Sequence, residues 1–160
     1  MKIDKLFNGL KRIANGDYVL EGDLISEETI EIDLDDRFVV KGRIESKKSI
    51  IIRHGIEAGD GIKAGWGIEA GDGIKAGCGI EAGCGIEAGD GIKAGWGIEA
   101  GCGIEAGAFI SVKKRIFAGI SIYRTSKDCD KTIRCTELRD GEVCYGDLIL
   151  TGSEEKPDED

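Results

Sequence analysis

From Gly55 to Ala108 the chain repeats one phrase nine times, Gly-Ile-Glu/Lys-Ala-Gly-X. Within each hexad Ile, Glu or Lys, and Ala alternate apolar, charged, apolar. That is the pattern of a very short strand with one face turned inward. Gly-X-Gly then predicts a corner, because glycine reaches backbone angles closed to other residues. Six residues cannot bury a face alone, but stacked copies can, each turn pairing with the next at roughly 4.8 Å. A helix is excluded, since two glycines per hexad would cost about 1 kcal/mol each.

The same register extends past the perfect copies. Ile32, Phe38, Ile44 and Ile50 hold the isoleucine slot upstream, and Ile110, Ile116 and Ile122 hold it downstream. This reads as 16 slots without an insertion. Leu34, Val40, Ser46 and Ile52 fill the second inward slot before the alanines begin, and the register fails at Arg124. The fold class expected is all-β, a single-stranded β-solenoid over 32–124. A turn of two hexads would give a flat ribbon of roughly eight turns and 40 Å; three would give a triangular prism of about five turns and 25 Å. Three is favoured, because one Ile and one Ala from each side fill a small triangular core.

The two ends read differently. Ile3, Leu6, Phe7, Leu10 and Ile13 share one helical face over 1–14, and Asn15-Gly16 is a helix stop. The segment carries net +3 and is expected to be an N-terminal cap helix, with a membrane or partner helix as the sharper alternative. Residues 15–31 are lead-in strands. Thr132 to Leu138 and Glu142 to Leu150 read as strands around an Arg139-Asp140-Gly141 turn, a hairpin-like C-terminal cap over 125–152. Residues 153–160 form an acidic tail.

Composition narrows the class further. Glycine is 26 of 160 residues, proline one, and aromatics 6%, too few large side chains for a wide core. Collagen is excluded because glycine does not fall every third residue. No run reaches the roughly 18–20 apolar residues of a membrane span and no leader opens the chain, so a soluble cytoplasmic protein is expected. The net charge is −9, which speaks against direct nucleic-acid binding. Charge is banded: 15–37 sums to −8, 38–54 to +4, 55–107 to −6 and 108–124 to +4. The basic bands contain Lys47-Lys48 and Lys113-Lys114.

Candidate chemistry is sparse. His54 is the only histidine, with no acidic partner evident in the sequence and no inserted loop to cover a coenzyme. The cysteines, Cys78, Cys84, Cys102, Cys129, Cys135 and Cys144, include no CxxC pair, so neither zinc nor any other cofactor is expected. With no leader they are expected as reduced thiols. Cys84 and Cys102 are 18 apart and would stack in a three-hexad turn. The X slot holds Asp, Trp, Cys and Ala interchangeably, so it points outward or lies along a corner. Trp66 and Trp96 are then exposed interface anchors; their spacing of 30 places them on different faces. Ice binding is disfavoured, since no Thr occurs between Gly55 and Gly107.

The hexad resembles the hexapeptide left-handed β-helix of acyltransferases in its Ile-Glu pair. It departs from that family where Asp, Trp or Cys replaces a small residue. That resemblance would imply an enzyme using His54. The phrases VLEGDLIS (Val19 to Ser26), VVKGRIES (Val39 to Ser46) and the IEAG/IKAG hexads resemble the bactofilins, polymer-forming cytoskeletal β-helices, and imply a self-associating scaffold. The expectation is a non-enzymatic scaffold whose partner is another protein or itself. The alternative is an acidic decoy imitating nucleic acid through Glu57, Glu69, Glu81, Glu87, Glu99 and Glu105, although Lys63, Lys75 and Lys93 interrupt that surface.

Overall fold

The computed structural model describes residues 1–120 and 130–152. It is a β-solenoid of about seven turns, and the described residues contain no helix. Each hexad of the repeat contributes one three-residue strand, from Ile56–Ala58 to Ile104–Ala106. Each strand pairs in parallel with the one three strands along. Ile62 stands opposite Ile80, and Ile80 opposite Ile98. A turn is therefore three hexads, one on each of three faces. The first face runs through Ile56–Ala58 and Ile74–Ala76, the second through Ile62–Ala64 and Ile80–Ala82, the third through Ile68–Ala70 and Ile86–Ala88.

The core is one Ile and one Ala per strand. Every isoleucine and alanine of the nine hexads that points inward is at most 3% exposed. Ser46 replaces an alanine and is also buried, its hydroxyl bonded to the Glu28 carbonyl at 2.9 Å. A polar group inside this narrow prism is tolerated because it is satisfied.

The corners have a different cause from the one the sequence suggests. Among the described residues, positive φ occurs only at Gly9, Gly16, Gly22, Gly119, Gly141 and Gly146, outside the perfect repeat. The repeat glycines are required by close approach instead. A Cβ on the first glycine of a corner would lie about 2 Å from a carbonyl oxygen of the turn before, as at Gly59, Gly65, Gly77 and Gly95.

The register carries one slip. Ile30 stands opposite Ile50 and Ile32 opposite Ile52, a spacing of 20. The solenoid thus begins at Tyr18–Leu20, and two extra residues sit between Ile32 and Phe38. An uninterrupted register from Ile32 is therefore incorrect. A two-residue shift keeps inward positions inward, so alternation alone does not reveal it. Leu34 turns in as an additional core residue, 2% exposed.

The N-terminal segment is not a helix. Lys2–Ile3 pairs in parallel with Ile30–Ile32, and Leu10–Arg12 pairs antiparallel with Tyr18–Leu20. Asp4 accepts from the Leu6 N–H, and Gly9 lies at positive φ, so the chain turns where a helix would continue. The first turn's strand edges supply the backbone partners: the Asp33 N–H donates to Ile3 and the Glu31 N–H to Met1. Ile3, Phe7 and Leu10 cover the core, whereas Leu6 and Ile13 face solvent. The segment caps the rod as strands.

At the other end the strands wind on in parallel. Phe109–Ala118 is one long strand spanning the first and second faces, paired at Ile92↔Ile110 and Ile98↔Ile116. Ile122, Arg124 and Cys129 lie outside the described residues; Ile133 takes the place opposite Ile104. Glu137–Tyr145 pairs with Phe109–Ala118 and Asp147–Leu150 with Thr132–Cys135, both parallel. The expected antiparallel hairpin is absent: its two arms meet only in parallel, Asp147–Leu150 stacking on Thr132–Cys135 one turn on. Gly141 is a bend within a strand, packed over Val112. The acidic tail 153–160 lies outside the described residues.

Candidate interaction surfaces

Three columns of X residues run up the three corners. The corner between the first and second faces stacks Asp60, Cys78, Trp96 and Lys114; each backbone N–H bonds the carbonyl below. The next corner stacks Lys48, Trp66, Cys84 and Cys102, and the third stacks His54, Asp72, Asp90 and Ala108. The slot lies along corners. Its occupants are exposed at Trp66 and Trp96 (60% and 62%), while Cys102 is buried. The two tryptophans stand at different corners, yet those corners flank the same second face. Their spacing in sequence concealed this.

Lys47-Lys48 and Lys113-Lys114 fall on different corners, so the two basic pairs do not form one patch. Lys113-Lys114-Arg115 is brought beside Trp96 instead, with the Lys114 ammonium 4.9 Å from the indole centroid. A shallow groove of about 1370 Å³ runs along the second face past Lys63, Glu81, Trp96, Arg115 and Phe117. Five cationic and five anionic side chains line it, a balance unlike the basic stripe that polyanion binding needs.

The six glutamates spread over all three faces. Glu57 is on the first, bonded to Lys75 at 2.8 Å, with Lys93 following it. Glu81 and Glu99 are on the second, Glu81 bonded to Lys63 at 2.7 Å. Glu81 and Glu99 stack as a pair, and Glu69, Glu87 and Glu105 stack as the longer row, on the third. Arg134 meets Glu105 at 3.3 Å from the turn above. The acidic row is thus three residues long on one face. His54, read as lacking an acidic partner, has Asp72 at 3.3 Å, one turn on at an exposed corner.

The ends differ most. The Asp17 carboxylate, 6% exposed, is bonded by Arg37 Nη2, which holds it below the ordinary range; Asn15 adds to this. Asp35 is held lower still by the Lys5 ammonium at 2.7 Å and the Tyr18 hydroxyl at 2.6 Å. The Lys5–Asp35 pair clamps the N-terminal cap to the first turn, and the Asp17–Arg37 pair joins the start of the first turn to that of the second. At the C-terminal end, Leu148 sits over Ile133 and Val143 over Ile116. Ile133 and Ile116 are fully buried, whereas Leu148 is 39% exposed, and Tyr145 and Ile149 nearly half exposed. Among the described residues, Asp147–Leu150 is the last strand of its sheet. Sequence reading missed this apolar end. The signal was available in Val143, Leu148 and Leu150, inward slots with no further hexad described to cover them.

No family model matches the sequence, and neither a curated protein nor a solved structure shows significant similarity to it. Among the described residues no helix is long and apolar enough to cross a membrane.

Proposed function

We propose that the protein is a rigid, non-enzymatic scaffold acting through protein–protein contacts, and that a second copy is its first partner. The observation carrying this reading is the asymmetry of the ends among the described residues. A clamped cap lies over the first turn, and inward-slot side chains such as Leu148 are left exposed on the last. Open strand edges and contiguous apolar surface are what a second chain covers. With one end open among the described residues, association is isologous and closes as a dimer with the capped ends outward. His54 and Asp72 are read as a surface pair, because they stand on an exposed corner. The acidic-decoy reading draws support from one face only.

Light scattering during size-exclusion chromatography of the full chain tests the reading. The expected result is a dimer that Leu148→Lys converts to a folded monomer, with little effect of salt because the contact is apolar. A parent chain that is monomeric at every concentration would sink it.

A further inference from the structure

Within the perfect repeat every corner is Gly-X-Gly. One turn above Trp96 the same corner is Lys113-Lys114-Arg115, and Phe109–Ala118 crosses it as one continuous strand. Three long cationic side chains thus stand where the repeat has two glycines and an X residue, and all three are exposed. The Lys114 N–H donates to the Trp96 carbonyl at 2.9 Å, and its ammonium lies 4.9 Å from the indole centroid. Trp96 remains 62% exposed, and Phe117 lines the same groove on the second face.

Carboxylates are in excess in this chain, 31 Asp and Glu against 22 Lys and Arg. Elsewhere in the groove the cations are already neutralised: Lys63 bonds Glu81 at 2.7 Å, and Arg43 stands 3.8 Å from Glu45. Among the described residues no carboxylate lies within ion-pair distance of Lys113, Lys114 or Arg115. Glu142 stands opposite Arg115 in the register and Glu99 opposite Phe117, but neither joins an ion pair. This end of the groove therefore offers three cations against two carboxylates, beside an exposed indole. A short anionic segment gains there. A long polyanion running on along the groove meets Glu81 and then Asp60, at the foot of the same corner column. Trp and Arg are also the side chains in which interface energy concentrates.

We infer that the Trp96 end of this groove is a docking site for a short, extended acidic segment of a partner protein. Its carboxylates pair with Lys113, Lys114 and Arg115, and an apolar side chain between them packs on Trp96. Charge complementarity selects the segment, and the indole anchors it. The groove opens on the side of the rod and not on its end, so the site does not rest on the dimer proposed above. A rod can hold a partner there whether or not its end is covered.

The test uses the full chain in a Trp66→Phe background, which leaves Trp96 as the single indole. The probe is the blocked peptide Glu-Glu-Leu-Glu-Glu, with Gln-Gln-Leu-Gln-Gln as its uncharged control. The acidic peptide should shift Trp96 emission saturably at low salt, and the control should leave it unchanged. Binding should weaken about tenfold in Lys114→Glu, with the fold kept by circular dichroism. It should also weaken as salt is raised to about 0.5 M. Lys47→Glu, in the basic pair of another corner, should bind as the parent does. Equal affinity of parent and Lys114→Glu, equal binding of the two peptides, or no shift up to about 1 mM peptide would overturn the proposal. So would tighter binding of oligothymidylate than of the peptide, which would make the groove a nucleic-acid contact. Loss of self-association in Lys114→Glu would also overturn it, by placing a second copy in the groove. If Lys114→Glu fails to fold, Lys114→Gln decides on the same readouts.

Discussion

A Cβ placed on Gly77 would lie 1.9 Å from the carbonyl oxygen of Gly59, one turn below, whereas one on Gly79 would lie 3.5 Å from the carbonyl of Gly97 above. The two glycines of this corner therefore have unequal duties. The first lets the backbone of one turn descend onto the last; the second is in ordinary van der Waals contact. Gly77→Ala should cost about 3 kcal/mol or more, since backbone on both sides must move. Gly79→Ala should change stability by less than about 1 kcal/mol, the reduced freedom of the unfolded chain offsetting the added contact. Urea unfolding of the two variants checks the asymmetry. Equal losses would show that the corners need glycine for another reason.

Glu87 lies between Glu69 and Glu105 on the third face, and no cation pairs with it among the described residues. Like charges directly opposite on neighbouring strands destabilise a sheet, and opposite charges contribute roughly 0.2–1 kcal/mol per pair. Glu87→Lys replaces two repulsions by two attractions. It should stabilise the rod by about 1 kcal/mol at low salt, and the gain should shrink as salt screens it. Thermal melts of parent and variant at two ionic strengths give the answer, and a destabilised variant would contradict the placement of this row.

Trp66 and Trp96 are each about three-fifths exposed. Trp96 gains the Lys114 ammonium over its ring, a contact worth roughly 0.5–1 kcal/mol at an exposed site. The double variant Trp66→Ala, Trp96→Ala should therefore unfold within about 1 kcal/mol of the parent. Chemical denaturation followed by circular dichroism tests this. A much larger loss would mean that the indoles fold back over neighbouring glycines and alanines.

Acid should loosen the N-terminal cap before it loosens the repeat. Arg37 lowers the pKa of Asp17, and Lys5 with Tyr18 lowers that of Asp35. Stability from a carboxylate lowered in this way is complete above its unfolded value of about 3.9 and is lost as pH falls through the lower folded value. The window thus lies below about pH 4. Hydrogen exchange by mass spectrometry should show the segment 1–20 losing protection there while 60–100 keeps its own. Simultaneous loss in both segments would reject a separable cap. Asp35→Asn should weaken the same segment at neutral pH.

The candidate surfaces were only partly legible in the chain. Trp66, Trp96 and the glutamates were visible as outward residues, because the alternation within a hexad is local. Their grouping was not. Lys114 meets Trp96 because the two stand one full turn apart along the chain, and no local pattern states how many hexads a turn holds. The exposed end at Leu148 escaped notice for a similar reason. Its strand reads like any other, and its exposure depends on no described turn following it on the stack. The N-terminal segment misled because Ile3, Phe7 and Leu10 satisfy a helical stripe and a turning strand equally well.

The repeat unit is legible in the chain alone: a three-residue strand, inward Ile and Ala, an outward charge and a glycine corner, recurring hexad by hexad. Those features depend on neighbours two or three positions apart, within reach of one strand's geometry. The tertiary structure decided which strands pair, where the two-residue slip falls, and which residues share a corner. It also decided that Met1 to Arg12 cap the rod as strands and that Leu148 stands uncovered among the described residues. These depend on backbone partners brought close only by a turn of the solenoid, such as Lys2 with Glu31 and Thr132 with Asp147. The slip is invisible locally because moving a strand by two residues leaves every side chain on its original side.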